Sequence, residues 1–109
     1  MKEQVPSAVV VGEDLYRVPH DPVDVFIRTL GQQYMVFCPI CDLAGARPLD
    51  LYAYLLERNG SCKVMPGAFA IHEGKVIYRM LVSVTEIGDA CETALSVTST
   101  YAPKILPML

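Results

Sequence analysis

Gly67-Ala68-Phe69-Ala70-Ile71-His72-Glu73-Gly74-Lys75-Val76-Ile77-Tyr78-Arg79-Met80-Leu81-Val82-Ser83-Val84 reads as two strands folded about a tight turn at Glu73-Gly74. Val76, Tyr78, Met80 and Val82 fall on one face of the second strand. That period of two marks a sheet with one apolar side, so some other element must cover it.

Working outward, the covering elements stand on either side. Downstream, a helix from about Gly88 to Ala102, ending before Pro103, places Ala90, Cys91, Ala94, Leu95, Val97 and Tyr101 in one arc. Asp89, Glu92, Ser96, Ser99 and Thr100 fill the other arc, which describes a surface helix lying on a sheet. Upstream, Pro48 suits the first turn of a helix running from about Leu49 to Arg58, with Asn59-Gly60 as a left-handed stop.

Farther upstream, Val23, Val25 and Ile27 alternate with Asp24, Phe26 and Arg28. Gly31-Gln32-Gln33 turns that strand into a second one, Tyr34 to Ile40, and the two should pair as a hairpin. Pro19-His20-Asp21-Pro22 is a loop, and Ala8 to Val18 reads as one strand interrupted by a turn at Gly12-Glu13-Asp14. The expected fold is therefore α+β. A central helix lies between two strand hairpins of an antiparallel sheet, and a C-terminal amphipathic helix packs on that sheet.

The 109 residues fit one domain, 1–109, large enough to bury a core without disulfides or metals. A hydrophobic share of 52% against 19% charged describes a compact chain with apolar surface to spare for a partner. Net charge is −3 and the nine Lys and Arg are scattered singly, which argues against nucleic acid and anionic membranes as partners. Met1-Lys2-Glu3-Gln4-Val5-Pro6 lacks a signal-peptide core, and no apolar run approaches the ~20 residues of a membrane span. A cytoplasmic chain with reduced thiols is expected.

Cys38-Pro39-Ile40-Cys41 is the motif with most chemical potential, since such a pair holds half a zinc site or forms a redox couple. Zinc needs four ligands, and Cys62 and Cys91 stand alone, Cys91 on the apolar arc of the last helix. A strand through Cys38 and Cys41 would point them to opposite faces, roughly 10 Å apart. We therefore expect structural thiols and no metal or other cofactor, with a zinc or redox protein using Cys38 and Cys41 as the alternative. His20, Asp21 and Asp24 sit in a loop and at a strand start, His72 beside a turn, and none has a visible nucleophile or base to work with. Gly60, Gly67, Gly74 and Gly88 are isolated, so no phosphate loop is present. No enzyme activity is expected.

The central helix carries two apolar faces. Leu49, Tyr52, Ala53, Leu55 and Leu56 are expected to meet the sheet, while Leu51 and Tyr54, beside Arg58, lie across from them. Leu51, Tyr54 and Arg58 are thus the candidate interface with a second copy of the chain.

The stretch from Tyr52 to Gly74 resembles the YbjN family and its structural relatives, the type III secretion chaperones. The likeness lies in Leu55-Leu56-Glu57-Arg58-Asn59-Gly60, then Gly67-Ala68-Phe69-Ala70-Ile71 and Glu73-Gly74-Lys75-Val76, with Tyr101 and Pro103 closing the last helix. It extends over the chain from about Val23 onward. It implies a small acidic homodimer without enzyme activity, a chaperone-like or regulatory module that binds another protein or peptide. These families usually begin with a helix, and here Val9-Val10-Val11, with Pro6 and Gly12 nearby, opposes one.

Overall fold

The computed structural model describes residues 3–20, 23–45 and 48–109. Asp21 and Pro22 of the first loop, and Ala46 and Arg47 of the loop before the central helix, lie outside the described residues. Six antiparallel strands form one sheet: β1 (Val9–Gly12), β2 (Leu15–Val18), β3 (Val25–Leu30), β4 (Gln33–Asp42), β5 (Ala68–His72) and β6 (Lys75–Val82). Their spatial order is β1-β2-β3-β4-β6-β5. Helix α1 (Leu49–Gly60) connects β4 to β5, and helix α2 (Ile87–Ile105) closes the chain, packed on β4, β6 and β3. The fold is α+β, as the alternation and the two helical patterns imply.

Turn chemistry sets the registers. Glu73 and Gly74 both have positive φ (52° and 76°), the signature of the hairpin turn whose twist matches paired strands, and His72 faces Lys75 across it. Gly31 (φ 62°) turns β3 into β4, with Leu30 opposite Gln33. Val25, Ile27, Val36, Cys38, Val76, Tyr78, Met80 and Val82 are buried on the helix side of the sheet. From above, α2 lowers Ile87, Ala90, Cys91, Ala94, Thr98, Tyr101 and Ile105 onto them. The small Ala90 and Ala94 let the helix axis approach the strands closely. Ser83 and Glu86 form a capping box that launches the short 3₁₀ turn ahead of α2, the Ser83 hydroxyl donating to Glu86 Oε1 at 2.7 Å. That bond and a second from the Ser83 backbone N–H hold the Glu86 carboxyl below its ordinary value.

Four local expectations need correction. Ala8 to Val18 is not one interrupted strand but a hairpin of two, β1 and β2, turned at Glu13-Asp14 with Asp14 at φ 56°. Asn59-Gly60 does not stop α1 in the left-handed region: the helix runs through Gly60, and Cys62 takes the positive φ of 64°. Helix α2 continues past Ala102 and includes Pro103. The intrahelical bond that Pro103 forfeits belongs to the carbonyl of exposed Ser99, which water can satisfy.

The fourth concerns the thiols. A β-bulge between Pro39 and Cys41 inserts an extra residue, so Cys38 pairs with Tyr78 and Cys41 with Val76, both inward positions. The bulge brings Cys38 and Cys41 to the same face instead of opposite ones.

Candidate protein-binding site

In helix α1 Leu55 faces the core as expected, but Leu51 joins it there while Leu49 and Leu56 turn outward, against the sequence-based expectation. Leu51 is 0% exposed and Leu55 is buried with it in the core, whereas Leu49 is 75% and Leu56 71% exposed. Tyr54 and Arg58, one turn apart on the inward side, are half-buried. The Arg58 guanidinium lies over the Tyr54 ring at 5.3 Å, and its Nη2 donates to Glu57 at 2.7 Å. Leu51 is therefore covered within its own chain. Helical periodicity supplies two stripes, 49/52/53/56 and 51/54/58, with Leu55 on their border, and cannot by itself say which meets the sheet.

The stripe left outside borders a groove of about 330 Å³ between α1 and β5, lined by Tyr52, Leu55, Leu56, Phe69 and Ile71. No charged side chain lines it. Phe69 anchors its floor, edge-on to Tyr78 at 5.7 Å and to Tyr101 of α2 at 5.6 Å. Asn59 fixes its wall: Nδ2 donates to the Phe69 carbonyl (3.0 Å), and the Phe69 N–H donates to Asn59 Oδ1 (2.8 Å). Sequence reading treated Asn59 as a turn residue and missed this role. The signal was an amide one helix-end away from an edge strand.

The corner below the groove is tied by Tyr78. Its hydroxyl, buried, donates to the Val64 carbonyl at 2.6 Å and accepts from the Gly67 N–H at 3.0 Å. Burial pushes the phenol upward, the Gly67 hydrogen bond pulling the other way. Gly67 must be glycine here, because a Cβ would strike the Arg79 carbonyl oxygen, the Tyr78 ring and Met80.

Cys38, Cys41 and Cys91 have little reactive character. Burial pushes Cys38 up to about 11, with the Thr98 hydroxyl beside it acting in the opposite direction. The Thr98 hydroxyl is itself buried and makes no hydrogen bond of good geometry among the described residues. Burial also raises Cys91 to about 11, with further contributions from Cys38 and Glu92, and raises Cys41. All four cysteines are free, and no cluster of metal-ligating side chains occurs among the described residues. Protonated thiols at neutral pH are weak nucleophiles and poor ligands.

The remaining candidates have structural work. Asp24 accepts from the His20 backbone N–H (3.1 Å) and pairs with Arg17 (3.5 Å), which ties the loop to β2. His72 lies 3.7 Å from Glu73 on the exposed turn. No helix among the described residues is long and apolar enough to cross a membrane.

No protein-family model and no curated protein sequence matches the chain. Solved structures do match its fold. A chain of the heterodimeric ExoU–SpcU complex from the type III secretion system of Pseudomonas aeruginosa superposes with a TM-score of 0.69 at 15% identity, covering 90% of this chain and 84% of that one. A chain of the ExsC–ExsE complex gives 0.70 at 13% identity, covering 89% and 80%. The architecture is that of a type III secretion chaperone-like fold, as the resemblance from Tyr52 to Gly74 implies.

Proposed function

We propose that this chain is a non-enzymatic, chaperone-like binding module of the cytosol. It pairs with a second copy of itself through the α1–β5 groove and engages another protein or peptide as client. The observation that carries this reading is the uncharged groove flanked by half-buried Tyr52 and by Leu49 and Leu56, two leucines that the chain leaves exposed. The fold shared with chains of two protein complexes, one of them from a type III secretion system, supports protein binding as the purpose of such a surface. The YbjN likeness belongs to the same reading. A groove without charge suits a two-fold partner because no like charges are brought together when identical surfaces meet.

Light scattering on the purified protein should give twice the chain mass at micromolar concentration. Tyr52→Glu with Leu56→Glu should give monomers with unchanged circular dichroism. A wild type that is monomeric at high micromolar concentration, or a dimeric double variant, would overturn the dimer.

A further inference from the structure

The sheet face turned away from both helices carries an ordered pattern of its own. Register places Arg17, Phe26, Phe37, Arg79 and Ala68 in one row running from β2 to β5. The adjoining row from β2 through β4 to β6 is Leu15, Arg28, Met35 and Leu81. Phe26 and Phe37 stack on each other, centroids 5.5 Å apart at 19°, and arginines stand at both ends of that pair. Leu81 is 55% exposed, and hollows of about 200 and 330 Å³ open beside Phe37 and Ile77. No helix covers any of this.

Charge on the molecule is divided by layer. Helix α1, helix α2 and the 3₁₀ turn between β6 and α2 carry Asp50, Glu57, Glu86, Asp89 and Glu92 against Arg58 and Lys104. Arg17, Arg28, Lys75 and Arg79 occupy the outer sheet face, where Asp24 pairs with Arg17 and Asp42 stands opposite Lys75. Arg28 and Arg79 have no carboxylate partner among the described residues. Arg28 and Arg79 thus stand without carboxylate partners over an apolar, aromatic floor, with Glu73 at the rim of the hollow beside Phe37.

We infer that this outer face, centred on Phe26, Phe37, Arg28 and Arg79, is the docking surface for an acidic amphipathic segment of the partner protein. The inference rests on the protein-binding reading above and names the chemistry of its client. Apolar side chains of the segment would cover the Phe pair and Leu81, while its carboxylates meet Arg28 and Arg79. A second copy is a poor occupant, since a two-fold axis here would bring the arginines of both copies together. Nucleic acid is a poor one too: the rings are stacked on each other rather than splayed to receive bases, and the net charge is −3.

The test is fluorescence polarisation with a short labelled peptide alternating leucine and glutamate. Its counterpart alternating leucine and lysine, single-stranded RNA and phosphatidylserine vesicles are the comparison probes. The glutamate peptide should bind and weaken as salt rises. Arg28→Glu with Arg79→Glu should cost about tenfold in affinity, and Arg28→Gln with Arg79→Gln should fall between. Circular dichroism should be unchanged, because neither arginine is buried. Failure of the glutamate peptide to bind, equal binding of the lysine peptide, or indifference to both arginine pairs overturns the inference. So does RNA or vesicle binding that is stronger and equally arginine-dependent. If a native-host protein is captured equally by wild type and the Glu double variant, protein binding stands and this face is not its site.

Discussion

At the β5 edge of the sheet, a side chain stands in for the missing neighbour strand: Asn59 of α1 satisfies both the N–H and the carbonyl of Phe69. Just before it, Tyr78 ties Val64 and Gly67 into the same corner. At the β1 edge nothing comparable happens. Val9, Val10 and Val11 are exposed, and no side-chain hydrogen bond reaches the strand among the described residues. Exposed edges template pairing, and proteins commonly blunt them with charge, proline or a covering element. One end is locked by hydrogen bonds and dense packing along the strand itself, while the other pairs with β2 and is anchored only ahead of the strand, by buried Val5 and Ala8. A change of similar size should therefore cost far more at the first than at the second.

Gly67→Ala should show the largest effect. The new methyl meets a backbone oxygen and the buried Tyr78 ring, neither of which has a flexible end to swing aside. Overpacking of this kind costs about 1–3 kcal/mol, and the rigid neighbours put this site at the top of that range. Thermal unfolding should report a drop in Tm of roughly 10 °C or more. A shift under about 2 °C would show that the corner is loose and the contrast between the ends false.

Asn59→Ala should come next, at about 2 kcal/mol, because two hydrogen bonds to half-buried backbone groups are lost together. Asn59→Asp keeps the acceptor for the Phe69 N–H and loses the donor, so urea unfolding should place it between wild type and Ala. Equal losses for Asp and Ala would show that the amide donor carries the whole effect.

Legibility in the sequence divides along similar lines. Period-two alternation in β3 and β6 and the single apolar arc of α2 were readable because each has one possible inward face. Helix α1 was not, since its two apolar stripes are equivalent to any local rule, and the choice depends on packing against distant elements such as β5, which Asn59 holds through Phe69. The Cys38–Cys41 geometry failed for another reason: one bulged residue shifts every subsequent side chain to the other face. The outer sheet row of Arg17, Phe26, Phe37 and Arg79 could not be seen at all before strand register was known.

Val10→Lys should have the smallest effect on stability and yet discriminate most sharply between the two ends. Val10 pairs with Tyr16 and lies on the helix side of β1, beyond the reach of either helix, so it is 64% exposed. Removing its methyls uncovers little core, and the change should stay within about 0.5 kcal/mol by urea unfolding. The lysine adds the charge that natural edge strands use against pairing. If the second copy binds through the α1–β5 groove, this variant should remain dimeric by light scattering while Tyr52→Glu with Leu56→Glu becomes monomeric. The opposite pattern, a monomeric Val10→Lys and an intact groove variant, would move the self-association to the β1 edge. Loss of the dimer in both would mean that each copy uses both edges, a head-to-tail arrangement in which the locked end of one chain receives the open end of the next. Chains joined that way grow with concentration unless the ring closes, so a dilution series separates that arrangement from a closed two-fold dimer.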